Sequence, residues 1–381
     1  MPALILLLCA LLALPVHADS LRQRIESFIA EKRTPGLVLM VVQQGQVLRH
    51  EAFGLADLET KRPLQRDAIL RLYSMSKPLT ALAVLRQVQA GRLRLDTPLQ
   101  ELLPQFAKLP TIQIRHLLSH TAGFDYGGDL TSWTGLRYLW AQPMDQEGKS
   151  LEQAMAALAG LPLRHEPGQA WTYGMSSDVL GAVLERLHGQ PLDQVLAREV
   201  FAPLGMVDTG FQVPAAQRPR LATQHEMGGI PLLYKRIRVD ADSSRLGLEA
   251  PRLRSAGGGL VGTVADYMRF AQALLQRPPK LLAPALFEAM LSNQLPAAQP
   301  RLPAEVYARS GYGLGLGIKL EDDGPQAAGT VFWAGKGGSL FWVDRQHQLA
   351  VVAAMPLNGA ARGLEKRLIP WVYEWLAQRG R

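Results

Sequence analysis

The sequence places a serine and a lysine one helical turn apart, in Tyr73-Ser74-Met75-Ser76-Lys77-Pro78. On one face of a helix, the Lys77 amine can take the Ser74 hydroxyl proton if burial lowers the pKa of the lysine. The positive end of the same helix would stabilise negative charge beside the nucleophile. A Ser-x-x-Lys spacing occurs about once by chance in a chain of this composition, so the rest of the sequence must decide.

Tyr173 is a candidate proton shuttle because it follows a turn and precedes a new helix, in Pro167-Gly168-Gln169-Ala170-Trp171-Thr172-Tyr173. A lysine ammonium beside a phenol favours the phenolate, so Lys77 and Tyr173 together could pass the Ser74 proton to a leaving group. The plainer alternative is a tyrosine whose ring packs in the core while its hydroxyl caps a loop.

A third segment, Phe332-Trp333-Ala334-Gly335-Lys336-Gly337-Gly338-Ser339, predicts a strand that runs into a glycine-rich turn. Acyl transfer needs two backbone N–H groups aimed at the developing oxyanion, one from the nucleophile and one from a facing strand. Each is worth roughly 10² to 10³ in rate. The alternative interpretation is a hairpin with a glycine turn and no further role.

Hydrophobic spacing predicts the elements that must position these residues. Strands are predicted over residues 37–42, 47–53, 312–320, 331–333, 340–343 and 349–355. Helices are predicted over residues 21–29, 74–90, 114–119, 151–158, 177–187, 192–200, 264–275 and 363–377. This order indicates an α+β fold, in which an antiparallel sheet is flanked by the two terminal helices. We expect a sheet lobe from about 19–72 and 255–381, a mainly helical lobe at about 73–254, and the site in the cleft between them.

The first eighteen residues predict a cleaved signal peptide. The apolar run from Ala3 to Leu14 is too short to cross a bilayer and is followed by the small-residue site Val16-His17-Ala18. We therefore expect a periplasmic or secreted bacterial protein, one domain over residues 19–381, with no integral membrane segment after cleavage. Cys9, the single cysteine, would be removed, so the mature chain would have neither disulfide nor thiolate metal site.

Composition excludes several other classes. The 381 residues are 48% hydrophobic and 19% charged, which suits a large core and excludes disorder. The net charge of +8 indicates a basic surface, but no dense Lys/Arg run predicts nucleic-acid binding. No strand precedes the glycine motif Gly257–Gly262, and His116 and His120 lack a third ligand, so we expect neither a dinucleotide nor a metal.

The order and spacing of the three motifs resemble the serine hydrolases that comprise class C β-lactamases, penicillin-binding proteins and family VIII carboxylesterases. The supporting stretches also resemble that group: Ile114 to Gly123, Leu204 to Phe211, Ser255 to Leu260, and Gly311 to Gly315. The resemblance covers nearly all of the mature chain. It implies a β-lactamase/transpeptidase-like fold and a serine hydrolase that needs no cofactor.

The resemblance also implies the roles of individual residues. Ser74 would be acylated, with Lys77 and Tyr173 sharing the base and acid roles, and which of the two is the primary base stays open. The backbone N–H groups of Ser74 and Lys336 would form the oxyanion hole if Trp333-Ala334-Gly335 occupies the family's Lys-Thr-Gly position. In the alternative register Lys336-Gly337-Gly338 stands there and Ser339 is the donor.

Two departures from the β-lactamase pattern favour esters over lactams as substrates. Tyr-x-Asn is replaced by Tyr173-Gly174-Met175, and Lys-Thr-Gly by Trp333-Ala334-Gly335, so side chains that bind the antibiotic are missing. Family VIII esterases resemble this chain in having Trp-x-Gly at that place. The candidate substrate-binding residues are Trp333, Gly335, Met175, Phe124 and Tyr126. Residues 124–140 and 224–255 are expected to line the acyl pocket.

The sequence thus predicts an exported serine hydrolase that cleaves small carboxylic esters through an acyl-serine intermediate. One alternative is a β-lactamase or D-amino-acid peptidase acting on peptidoglycan-like substrates. Another is a wall-binding protein of the same fold without turnover. The partner is a small ester or lactam-like molecule, and the sequence does not predict the oligomeric state.

Overall fold

A computed structural model describes residues 19–127, 131–144, 149–228, 236–249, 251–359 and 361–379. The predicted signal peptide, residues 1–18, lies outside the described residues. Within these ranges no helix combines the length and apolar character needed to cross a membrane.

The strands make one large sheet and two small ones. Eight strands form an antiparallel sheet in the order β3-β2-β1-β12-β11-β10-β9-β8, while β4 pairs with β7 and β5 with β6. The strands are β1 (Gly36–Gln43), β2 (Gln46–Asp57), β3 (Arg62–Pro63), β4 (Leu70–Arg71), β5 (His225–Gly228), β6 (Arg236–Val239), β7 (Val261–Gly262), β8 (Ser310–Tyr312), β9 (Gly317–Lys319), β10 (Val331–Ala334), β11 (Ser339–Asp344) and β12 (Leu349–Ala354).

The helices lie at the two ends of the chain and in the long central segment. They are α1 (Ser20–Ala30), α2 (Ser76–Gln89), α3 (Leu99–Leu102), α4 (Ile114–Leu118), α5 (Trp133–Ala141), α6 (Leu151–Ala159), α7 (Ser176–His188), α8 (Leu192–Leu196), α9 (Ala202–Leu204), α10 (Ala241–Arg245), α11 (Val264–Gln276), α12 (Pro284–Met290), α13 (Ala304–Tyr307) and α14 (Ala361–Arg379). Short 3-10 turns cover Tyr73–Met75, Pro104–Phe106 and Ala215–Arg220, and a π turn covers Ala197–Phe201.

Alternation along the strands gives the large sheet two buried faces. Leu37, Leu39 and Val41 of β1 point to the outer face, where they pack with α1 and α14. Val38 and Val42 point to the inner face, which shares one core with α11 and the central helices. The predicted α+β fold, an antiparallel sheet flanked by the two terminal helices, is confirmed.

One predicted strand is wrong in its extent. The apolar run 312–320 forms two short strands, β8 and β9, rather than one. Gly315 has a φ of +95°, and the Gly313 N–H donates to the Leu316 carbonyl, so the chain turns back on itself there. Alternating apolar residues signalled extended backbone on both sides of the turn, but glycines in a strand pattern can also mark a bend.

Candidate active site

The structure brings the three residues singled out in the sequence to one point. The Tyr173 hydroxyl donates to Ser74 Oγ at 2.6 Å, and Lys77 Nζ donates to the same oxygen at 3.2 Å. Ser74 and Lys77 come from one turn of chain, whereas Tyr173 arrives from the loop before α7. Ser74 Oγ is therefore held by two groups that can exchange protons with it.

The nucleophile stands just before its helix rather than within it. The sequence predicts a helix from Ser74, but the chain forms a 3-10 turn at Tyr73–Met75 and α2 begins at Ser76. Tyr73 has a φ of +45°, a left-handed conformation that is unfavourable for a tyrosine. Pro78 is tolerated because it lies in the first turn of α2, where its missing N–H has no intrahelical acceptor.

Lys77 is buried, with 1% of its surface exposed, and its ammonium donates to the Gly257 carbonyl at 2.7 Å. Burial alone would lower the pKa of Lys77, as the sequence analysis required of a base. The neighbouring phenols of Tyr126 and Tyr173 and the Asp178 carboxylate outweigh burial, so the pKa is raised instead. In the sequence analysis Lys77 could act as a base if burial lowered its pKa. That condition is not met, because the same pocket that removes water supplies partners for the cation.

Aromatic rings enclose Tyr173. Its ring stacks on Trp171 at 5.9 Å between centroids and lies 5.1 Å from His120, 5.6 Å from Trp333 and 5.4 Å from Tyr126. Burial, reinforced by the Lys77 charge, holds the pKa of His120 well below its usual value, so this histidine is neutral. The sequence analysis set His120 aside as a metal ligand, but it did not predict the place of this histidine beside Tyr173.

The strand that carries the third motif touches the nucleophile turn through glycines. A Cβ on Gly335 would lie 2.1 Å from the Leu72 carbonyl oxygen, and one on Gly337 would lie 2.6 Å from the Tyr73 ring. The Ser339 hydroxyl donates to the same Leu72 carbonyl at 3.0 Å. Only glycine permits so close an approach, which brings the β10–β11 turn beside Ser74.

Two backbone N–H groups are available next to the nucleophile. Among the described residues, no acceptor bonds the N–H of Ser74 or the N–H of Lys336. Both belong to segments that the close contacts of Gly335 and Gly337 hold together. A pair of unused donors on facing segments is the arrangement that can stabilise an oxyanion.

The structure separates the predicted substrate-binding residues into two groups. Tyr126 is 38% exposed, and Lys77 Nζ lies 5.4 Å from the centre of its ring. Met175 and Trp333 are 5% and 4% exposed, and the Trp333 ring contacts that of Tyr173. Phe124 has no exposed surface and packs edge-on against Phe106, which differs from the predicted contact with substrate. It supports the site from within the core.

The two segments expected to line an acyl pocket are described only in part, because 128–130, 229–235 and 250 lie outside the described residues. A cavity of about 610 Å³ borders the nucleophile turn at Tyr73 and is lined by part of the second segment, including Leu246, Leu248, Arg245 and Arg252. In the first segment, the indole rings at the two ends of α5, Trp133 and Trp140, are each 65% exposed and contact each other.

A buried carboxylate near Lys77 was not assigned a role from the sequence. Asp178, in the first turn of α7, is 2% exposed and accepts from Ser255 Oγ at 2.6 Å and from the Gly257 N–H at 3.1 Å. What the sequence shows of Asp178 is that it lies five residues after the candidate catalytic residue Tyr173. Nothing in the spacing indicates that it meets the segment around Gly257.

A family model and individual sequence relatives identify the same family for this chain. The family model described as Beta-lactamase matches residues 21–369. Esterase EstB of Burkholderia gladioli is 33% identical over 89% of this chain and 91% of its own length. Acyltransferase calJ of Penicillium decumbens is 28% identical over 76% of this chain and 75% of its own.

Solved structures agree with the sequence relatives. EstCE1, described as a hydrolase with promiscuous acyltransferase activity, superposes with a TM-score of 0.81 at 30% identity, over 93% of this chain and 98% of its own. Simvastatin synthase LovD from Aspergillus terreus, in its LovD6 form, gives a TM-score of 0.78 at 25% identity, over 95% and 96%. The resemblance to the esterase branch of the group and the predicted β-lactamase-like fold are confirmed.

Proposed function

This chain belongs to the β-lactamase family, and on that premise we propose that it hydrolyses carboxylic esters through an acyl intermediate on Ser74. It is an enzyme, a serine hydrolase of that family. One observation carries the assignment of Ser74: its Oγ is hydrogen-bonded to both Tyr173 and Lys77, at 2.6 and 3.2 Å.

The proposed reaction has two halves. In the reactive form Tyr173 has released its hydroxyl proton to solvent, and the Lys77 ammonium stabilises the phenolate. Ser74 Oγ attacks the ester carbonyl carbon while its proton passes to the phenolate oxygen. The bond to the alkoxy oxygen then breaks, and that oxygen takes the proton from Tyr173 and leaves as the alcohol. Water attacks acyl-Ser74 by the same proton path, which releases the carboxylic acid and restores the Ser74 hydroxyl.

The oxyanion formed in each half would lie between the N–H groups of Ser74 and Lys336. Their lack of acceptors among the described residues supports this placement, as does the contact of Gly335 with Leu72. Ser339, the donor in the alternative register, belongs to β11 and bonds Leu72 through its hydroxyl. We therefore favour Lys336.

Esters fit the site better than lactams do. Met175 offers no hydrogen bond to a substrate amide, and Trp333 offers no cation to a carboxylate. The cavity beside Tyr73 has two leucines in its lining, but charged side chains such as Arg245, Glu249 and Arg252 also line it, so it does not select for a purely apolar acyl or alcohol group. Turnover of p-nitrophenyl acetate, a chromogenic cephalosporin and a D-Ala-D-Ala peptide, measured side by side, should give a clear preference for the first. A preference for either of the others would replace the ester assignment.

Acyl transfer to an alcohol is a second candidate activity. The relatives and structural neighbours include an acyltransferase and a hydrolase described as having acyltransferase activity. Acyl-Ser74 is common to both reactions, and the outcome depends on whether water or an alcohol attacks it. Adding a primary alcohol during turnover of a p-nitrophenyl ester separates them, because transfer yields a new ester and hydrolysis yields only the acid.

A fluorophosphonate probe tests the nucleophile directly. We expect mass spectrometry to locate the label on Ser74, and Ser74→Ala to abolish both labelling and ester turnover. Ser76→Ala, two residues away in the same motif, is the matched control and should still be labelled. Labelling that persists in Ser74→Ala would overturn the assignment, and a wild-type protein that is never labelled would favour a binding role.

We also propose that residues 1–18 direct export and are removed before Asp19. The apolar run and the small residues before Asp19 support this, and the Asp19 side chain accepts from the Arg22 N–H, capping α1. Intact mass of the protein from a periplasmic extract tests it. A mass that includes residues 1–18 would contradict cleavage.

A further inference from the structure

The Gly257 backbone lies between a carboxylate and the Lys77 ammonium. Its N–H donates to Asp178 Oδ1 at 3.1 Å, and its carbonyl accepts from Lys77 Nζ at 2.7 Å. A Cβ at this position would lie 2.7 Å from Asp178 Oδ2, so the residue must be glycine for the carboxylate to come so near. One residue thus connects the buried anion with the buried cation.

A hydrogen bond and the N-terminal turn of a helix hold the Asp178 carboxylate in this position. Ser255 Oγ donates to Oδ1 at 2.6 Å, and the first turn of the thirteen-residue helix α7 favours negative charge there. Burial raises the pKa of the Asp178 carboxyl, while the Ser255 hydroxyl and the Lys77 charge act in the opposite direction. A buried carboxylate with no direct salt bridge to a cation among the described residues needs a compensating charge nearby, and Lys77 supplies it.

The buried Lys77 ammonium likewise needs groups nearby that stabilise its positive charge. Phenols face it from two sides, Tyr126 at 5.4 Å and Tyr173 at 4.8 Å from Nζ to the ring centre. Asp178 faces it from α7, and His120, which is neutral, lies behind Tyr173. Of these groups Asp178 is the carboxylate, and its charge helps the lysine to keep its proton, in addition to the effects of Tyr126 and Tyr173.

We propose that Asp178 is a positioning residue for the acylation step: through the Gly257 backbone, its carboxylate keeps Lys77 protonated and aimed at Ser74. It touches neither substrate nor Ser74. The inference rests on the proposed roles of Ser74, Lys77 and Tyr173, and it adds a fourth group that determines the protonation state of one of them.

Asp178→Asn tests the proposal because it preserves the shape and the Oδ1 acceptor that Ser255 and Gly257 use, and it removes the charge. We expect kcat for p-nitrophenyl acetate to fall about 10- to 100-fold with KM within about twofold. Loss of a nearby negative charge makes the lysine easier to deprotonate. The alkaline limb of kcat/KM should therefore move to lower pH, by about one unit. Asp178→Glu keeps the charge and should leave the limb at the wild-type pH.

Asp266→Asn is the matched control. Asp266 is also a buried carboxylate, 1% exposed, in the first turn of a helix, and it accepts from the Asp208 N–H and Thr209 Oγ1. It belongs to α11 and does not contact Lys77. We expect this variant to lose stability, measured by thermal melting, without any shift of the alkaline limb.

The outcomes separate the proposal from a merely structural role. A folded Asp178→Asn protein whose activity falls while its alkaline limb stays in place overturns the inference. If Asp178→Asn does not fold, Asp178→Ser supplies the test, because a smaller neutral side chain also removes the charge. The limb should then move in the same direction, and an unmoved limb overturns the inference. Turnover by Ser74→Ala would instead overturn the proposed function, which distinguishes the two failures.

Discussion

Replacing Gly335 with alanine should disable the proposed oxyanion hole without altering any side chain that exchanges protons. The added Cβ would lie 2.1 Å from the Leu72 carbonyl oxygen and 2.5 Å from Ser339 Oγ. Ordinary contacts begin at 3.4 Å, so β10 and the nucleophile turn must separate by about 1.3 Å. Because the obstacle at Leu72 is backbone, no side-chain rotation relieves the clash, and the Lys336 N–H moves away from Ser74.

A displacement of this size takes one of the two donors out of hydrogen-bond range. Loss of one oxyanion donor costs roughly 10²- to 10³-fold in kcat, or about 2.7–4 kcal/mol of transition-state stabilisation. KM should change little, because the donor acts on charge that exists only in the transition state. Initial rates with p-nitrophenyl acetate measure the loss, and thermal melting measures any accompanying loss of stability.

Gly363→Ala is the control for the glycine-to-alanine change itself. Gly363 lies in α14, and a Cβ there would meet no other atom within 4 Å. We expect unchanged activity and a gain of about 0.5–1 kcal/mol in stability, as for glycine in a helix. If folded Gly335→Ala has the kcat of the wild type, the placement of the oxyanion hole at Lys336 is refuted.

Two further substitutions test the same region and the sheet. Ser339→Ala removes the hydroxyl that donates to the Leu72 carbonyl. We expect kcat to fall about 5- to 10-fold, which corresponds to the loss of one net hydrogen bond. A loss as large as that of Gly335→Ala would contradict the steric argument. Asp344→Asn should lower the free energy of unfolding at pH 7 by about 3 kcal/mol. Burial alone would raise the pKa of Asp344, but bonds from Tyr373 and His347 outweigh it and hold that pKa below its usual value. The stabilisation is therefore complete above about pH 4 and is lost as pH falls through the lowered pKa of the folded protein, so the difference between urea melts of the two proteins should shrink as the pH is lowered from 4.

Local patterns in the sequence were enough to predict the nucleophile region and most of the elements. Because Ser74 and Lys77 are three residues apart, they lie on the same face of a helical turn. The turn before Tyr173 predicts where the next helix begins. Alternation and runs of apolar residues predict the strands of the sheet, since each face must be buried. These are properties of neighbours along the chain, and a sequence displays them directly.

Contacts between distant segments could not be predicted in this way. The sequence contains Gly174, Gly257 and Gly335, but it does not show that each meets another element, at Phe124, Asp178 and Leu72 respectively. The sequence does not distinguish a glycine that a turn requires from one that lies in close contact with a backbone carbonyl of another segment. The same limit applies to Phe124, which aromatic composition assigns to the pocket and which packing places in the core.

The hydrogen bonds of Lys77, and the neighbours that raise its pKa against the effect of burial, indicate which partner of Ser74 accepts its proton. A lysine that retains its proton donates hydrogen bonds, and its observed partners, the Gly257 carbonyl and Ser74 Oγ, are both acceptors. The group left to accept the Ser74 proton is Tyr173, once its own hydroxyl proton has been released to solvent. Lys77 then contributes positive charge, which stabilises the Tyr173 phenolate until it takes that proton.

Chemical rescue of Lys77→Ala distinguishes a cation from a base. The substitution removes a buried side chain and leaves space that a small amine can enter. At pH 8, ethylamine is protonated and should restore part of the ester turnover, whereas 2,2,2-trifluoroethylamine, of nearly the same size but neutral, should not. Ethylamine must also fail to raise the activity of Ser74→Ala. Rescue by the neutral amine alone would mean that Lys77 accepts the proton, and the roles of Lys77 and Tyr173 would then be reversed.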